Sequence, residues 1–118
     1  RWPEGTAALS ALFIAFANSR QYGSHGCIAP RASLDDGRLD LVVVADQSLP
    51  RLLSRVPAFF LGSLTPGAGV AMHAVTEVGV EVDGVGELHL DGEPRHFDGR
   101  LAVRVHPRAL DVIVPDPR

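Results

Sequence analysis

The sequence predicts a mainly β fold: an antiparallel β-sandwich with one substantial helix at about residues 48–62. Three observations carry this. From Val70 onward apolar and polar residues alternate in short runs, the period-2 pattern of a half-buried strand. Asp-Gly pairs begin at Asp83, Asp91 and Asp98, and each reads as a turn between such runs. Helical spacing of apolar residues is convincing in one stretch only, where Leu49, Leu52, Leu53, Val56, Phe59 and Phe60 recur on a 3.6-residue period.

Each element follows in order. Leu12-Phe13-Ile14-Ala15-Phe16 reads as a strand buried on both faces. The longer apolar run around it, Ala7–Ala17, is too short to span a membrane, and Glu4 argues against a positively charged leader. Leu39-Asp40-Leu41-Val42-Val43-Val44 is a second strand, with the β-branched run that suits a pleated sheet. Ser48 is a candidate cap for the helix and Pro50 suits its first turn. Pro57 predicts a kink or break, and Gly62 a stop. Thr65–Gly69 is a loop. The later strands are marked by Val78, Val80 and Val82, by Leu88 and Leu90, by Leu101, Val103 and Val105, and by Leu110, Val112 and Val114.

Composition limits the function. The 118 residues suit a single domain, and 46% apolar content supplies a core. With 11 basic and 14 acidic residues the net charge is −3, which implies no general affinity for nucleic acid. All the basic residues are arginine, which excludes Schiff-base chemistry and any phosphate loop that relies on lysine. The single cysteine, Cys27, has no internal disulfide partner, so a reduced cytoplasmic setting is expected. No Gly-x-Ser-x-Gly elbow and no glycine-rich phosphate loop between a strand and a helix is present. His25 with Cys27 lacks the partners of a zinc site.

The polar stretch from Asn18 to Asp40 joins the first two apolar strands. A long connection of this kind is functional or disordered, and its Gly and Pro punctuation argues for fixed turns. It brings Asp35, Asp36 and Asp40 close in sequence, while Asp91 and Glu93 form a second acidic group. Carboxylates with turn carbonyls suit hard cations such as Mg²⁺. Solvated hairpin carboxylates would give the same sequence. Pro94 has no N–H to give to a central strand, which puts Glu93 at a strand end.

The motifs Asn18, Tyr22-Gly23, Ile28-Ala29-Pro30, Ala32, Leu34-Asp35-Asp36-Gly37-Arg38-Leu39-Asp40 and, later, Asp91-Gly92-Glu93-Pro94 together resemble the second domain of the diacylglycerol kinase-like lipid kinases. The resemblance runs from about Phe13 to Pro115. One departure is Gly23-Ser24-His25, where the family has a glycine triplet. His25 there adds a donor for an anionic group.

The resemblance implies that residues 1–118 are one domain. It would be the C-terminal β-sandwich of a two-domain kinase, without the N-terminal domain that carries the nucleotide motif. ATP would be the co-substrate, bound mainly by that domain, and Mg²⁺ the metal. The Asp36 turn resembles a structural Mg²⁺ site, with carbonyls near Ser33 and Arg38 as further ligands. Glu93 corresponds to a candidate general base, and Asp91 more simply supports its turn. The implied partners are a lipid substrate, the chain's own N-terminal domain and, peripherally, a membrane. The isolated chain is expected to be inactive. The other reading is a non-catalytic β-sandwich module that binds a lipid or a protein.

Overall fold

The computed structural model describes residues 1–22, 25–67, 69–113 and 115. The chain runs β1 (Ala11–Ala17), β2 (Gln21–Tyr22), β3 (Gly26–Cys27), β4 (Leu39–Ala45), α1 (Leu49–Leu53), α2 (Val56–Phe60), β5 (Val70–Val75), β6 (Glu77–Leu90) and β7 (Glu93–Arg104). The fold is mainly β and every strand pairing among the described residues is antiparallel. The predicted class therefore holds.

Strand β4 is the centre of the molecule. It lies between β1 and β5 in a three-stranded sheet, and Leu41, Val42, Val43 and Val44 are all buried. Successive strand residues point to opposite faces, so this unbroken burial means that both faces are covered. On one face Val42 and Val44 pack with Ile28, Ala29, Ala32, Leu64 and Val70, and with Leu52, Ala58 and Phe59 of the helices. On the other, Leu41 and Val43 pack with Val75 and with Val78, Val80 and Val103 from the base of the β6–β7 hairpin. That second contact makes the sandwich.

The predicted double burial of Leu12–Phe16 is corrected. Among the described residues β1 pairs with β4 alone and forms the edge of the sheet, and Leu12, Phe13 and Ile14 are exposed. Its composition matches that of β4, but only a central strand receives cover from both sides.

The helical expectation holds as a stretch over residues 49–60 with the expected break, which falls at Ser54-Arg55, one turn before Pro57. Pro57 instead lies in the first turn of α2, where a missing N–H costs nothing. Ser48 occupies the N-cap position, but its side chain makes no capping hydrogen bond. Gly62 stops α2 as predicted: it takes φ +64°, and the Ser63 N–H donates to the Ala58 carbonyl at 2.9 Å, the bond that closes a left-handed helix end.

Of the three Asp-Gly pairs after Val70, only Asp91-Gly92 is a hairpin turn. It links Leu90 to Glu93 with φ of 50° and 88°, the double positive φ of a tight two-residue turn. Asp83-Gly84 and Asp98-Gly99 are not turns. They lie within β6 and β7, where the register shifts between Glu81 and Val85. Residues 82–84 face Gly99 there, and Gly84 and Gly99 take positive φ. The same glycine freedom that permits a turn here makes a bulge. The last expected strand, Leu110 to Val114, is also corrected. Leu110, Val112 and Ile113 form no strand and are exposed, having no partner strand among the described residues; Val114 lies outside them.

Candidate functional site

The two predicted acidic groups are both present, and the fold keeps them apart. Asp91 and Glu93 sit at the tip of the β6–β7 hairpin. The Asp36 turn sits near its base, where a side chain at Gly37 would touch Pro107, just beyond the end of β7. A β-strand rises about 3.3 Å per residue, so the length of β7 separates the groups by roughly 35 Å.

At the tip, Glu93 opens β7 and Pro94 follows opposite His89. Among the described residues the hairpin has two strands and no third neighbour, so the missing Pro94 N–H breaks no ladder. Glu93 and Arg95 project to the same side of the strand. Arg95 Nη2 donates to Glu93 Oε2 at 2.7 Å, with both side chains largely in solvent. Among the described residues the other Glu93 oxygen has no hydrogen-bond partner. A carboxylate held at one oxygen and open at the other can accept a proton from a docked hydroxyl. Sequence reasoning missed Arg95, although the i, i+2 spacing on one strand face was the available signal.

At the base, the backbone N–H of Arg38 donates to Asp36 Oδ1 at 2.9 Å, and Ser33 Oγ donates to Asp35 Oδ1 at 2.6 Å. These local bonds make the ordered turn that the Asp-Asp-Gly sequence suggested. Asp40 is half-buried at the start of β4. Burial and the nearby Asp36 charge raise its carboxyl above the usual range, with Arg31 acting in the opposite direction. Two neighbouring carboxylates that repel each other suit a divalent cation, and Mg²⁺ takes one or two protein carboxylates with carbonyls and water. Asp36 and Asp40 are therefore oxygen donors of the kind that Mg²⁺ takes. No group of three or more His, Cys, Asp or Glu side chains converges among the described residues, so this would be a site of few charges.

A third feature was not anticipated. A cavity of about 480 Å³ lies between the β2–β3 pair and the end of α2, with Arg20, Gln21, Cys27, Phe60 and Leu61 among its walls. It joins a cationic side to an apolar one. Gly23 and Ser24 of the altered glycine triplet lie outside the described residues. His25 lines the cavity and is exposed.

Residues 4–114 match the model of the YegS C-terminal NAD kinase beta sandwich-like domain. Two curated proteins named diacylglycerol kinase, from Mycobacterium tuberculosis strains CDC 1551 / Oshkosh and ATCC 25618 / H37Rv, are each 31% identical over 102 residues. The match covers 85% of this chain and 32% of each relative, so the chain spans about a third of the length of these proteins. Both motif groups, the antiparallel sandwich and the family match lead to one statement: the chain belongs to the YegS C-terminal NAD kinase beta sandwich-like domain family, the C-terminal domain of diacylglycerol kinase-like proteins.

Proposed function

We propose that this chain is the C-terminal domain of an ATP-dependent kinase that phosphorylates a lipid hydroxyl, diacylglycerol or a similar lipid. In this reading the domain supplies the lipid side of the cleft and the general base. A preceding domain holds most of the nucleotide. The observation that carries the reading is the presentation of Glu93: a carboxylate at the first residue of β7, projected by a two-residue turn and restrained at one oxygen by Arg95. The diacylglycerol kinase name of the similar proteins supports the substrate class.

Phosphoryl transfer rests on positioning and charge neutralisation, with a carboxylate to orient or deprotonate the nucleophile. Glu93 takes the proton of the lipid hydroxyl as that oxygen bonds to the γ-phosphorus of ATP. The bond from phosphorus to the β–γ bridging oxygen breaks, and ADP leaves. Arg95 keeps the carboxylate aimed. Asp91, at positive φ in the turn, sets the direction in which Glu93 leaves the hairpin. Mg²⁺ at the Asp36 turn would offset the Asp36 and Asp40 charges and fix the loop ahead of β4.

The test is Glu93→Gln in the intact protein that carries this chain. A general base contributes about 10²–10⁴ in rate, so turnover with diacylglycerol should fall at least about a hundredfold. Folding should not change, because the side chain is exposed. Near-normal turnover by this variant would return Glu93 to a simple turn residue.

A further inference from the structure

The strand register puts Glu93 in apolar company. Residues paired across an antiparallel ladder share a face, with Cβ atoms about 4.5–5.5 Å apart. Leu90 pairs with Glu93, Leu88 with Arg95 and Gly86 with Phe97, so these six residues form one face of the hairpin tip. The other face carries Val85, Glu87, His89, Pro94, His96 and Asp98, with His96 and Glu87 3.8 Å apart. The tip is therefore amphipathic, and the carboxylate lies on its apolar side. Within the strands of the tip the charges on that side are Glu93 and Arg95, which pair with each other at 2.7 Å.

This apolar side continues the core-facing side of the hairpin. Val103 packs in the core beside Val78 and Val80. Every second residue back along β7 from Val103 is Leu101, Gly99, Phe97, Arg95 and Glu93. Leu101, Gly99 and Phe97 are half-buried, while the residues between them are exposed. At the tip nothing among the described residues covers this side, and Leu90 is 58% exposed. Phe97 lays its ring over Gly86, so an apolar strip runs from the ring through Leu88 to Leu90, beside Glu93. Four residues of β7 separate its ends, roughly 13 Å.

Glu93 selects the occupant of the strip. A hydroxyl that gives its proton to Glu93 arrives on the face where Glu93 projects. The carbon chain behind that hydroxyl then lies on a surface whose one ion pair is already made. We propose that Leu88, Leu90 and Phe97 seat the acyl chain of the lipid whose hydroxyl reacts at Glu93. A sugar or other polyol would lose hydration there and gain no matching partners. The inference rests on the lipid-kinase reading and adds the side chains that choose the substrate.

The experiment is steady-state kinetics of the intact protein with dioleoylglycerol and dibutyrylglycerol in mixed detergent micelles. Leu90→Ala should raise KM for dioleoylglycerol about tenfold and change kcat less than about twofold, because it removes an apolar contact that substrate and transition state share. Leu88→Ala should act in the same direction. With dibutyrylglycerol, whose short chains cover little of the strip, each variant should change KM less than about twofold. Val85→Ala, on the other face, should leave both parameters unchanged. Leu90 is exposed, so its variant keeps the test valid if Leu88→Ala does not fold. Two outcomes overturn the inference alone, while Glu93→Gln still removes turnover. One is a KM for dioleoylglycerol that neither leucine affects. The other is a loss of kcat of equal size with both lipids, because the strip would then pack on the preceding domain. Near-normal turnover by Glu93→Gln, or a wild type that phosphorylates neither lipid, is the separate result that overturns the lipid-kinase reading and this inference with it.

Discussion

The three-stranded sheet and the β6–β7 hairpin are built from similar residues, yet only the sheet is a core. β4 buries four consecutive side chains, because the helices and the 28–32 segment cover one face and the hairpin base covers the other. The hairpin has the two longest strands, but Val78 is its only buried residue. Beyond the bulge at 82–84 nothing described packs on it, and Val85 and Leu90 are exposed. Strand pairing and apolar alternation do not create burial; a second layer does. The difference has a functional side. The sheet is covered on both faces, whereas the bare hairpin holds Glu93 at its tip, away from the core, as the proposed function needs.

One substitution, made in both regions, tests this contrast most strongly. Val42→Ala removes two methyl groups from a position with 0% exposure. It should cost about 2–3 kcal/mol in unfolding free energy through lost transfer and a residual cavity. Val85→Ala, at 67% exposure, should cost under about 0.5 kcal/mol. Equal losses in urea unfolding would mean that the outer hairpin is covered in solution and that the contrast is wrong.

The second prediction asks whether the outer hairpin has any packing of its own. Gly86 lies opposite Phe97, and a Cβ at Gly86 would come within 2.3 Å of the Phe97 ring. The ring therefore lies across the glycine, filling the space of its missing side chain. Gly86→Ala should cost about 1–2 kcal/mol by displacing the ring. Adding it to Phe97→Ala should cost far less, since the obstacle has gone. Additive losses in the double variant would show that the two residues do not touch.

The smallest effect is electrostatic and returns to the sheet. The Asp40 carboxyl is raised by burial and by Asp36, so the folded chain binds that proton more tightly than the unfolded chain. Ionised Asp40 is then a burden above its folded pKa, and this contribution becomes more favourable as pH falls toward the unfolded value. In metal-free buffer Asp40→Asn should raise the melting temperature slightly near neutral pH, and the gain should vanish in acid. Mg²⁺ should stabilise the wild type more than Asp36→Ala if the turn holds the ion. A gain from Asp40→Asn that persists in acid would place its cause outside ionisation.

Much of the site was legible in the sequence. Asp35-Asp36-Gly37 and Asp91-Gly92-Glu93 announce tight turns because glycine permits positive φ and short acids bond to nearby backbone. Pro94 marks Glu93 as a strand end because it has no N–H to donate. The ion pair with Arg95 and the raised Asp40 carboxyl were not legible in this way, since one depends on chosen rotamers and the other on what surrounds the start of β4.

The sequence by itself determined the class of fold, the 49–60 helical stretch with its stop at Gly62, and the order of the acidic motifs. All of these follow from local periodicity and backbone preference. Only the tertiary structure decided which apolar strand became central. Leu12–Phe16 and Leu41–Val44 are equally apolar, and β4 is buried because it has a neighbour on each edge and a layer on each face. The tertiary structure also decided which of the three later Asp-Gly pairs turns and which two lie at the β6–β7 bulge. A glycine's positive φ permits either outcome, and pairing to the opposite strand selects between them.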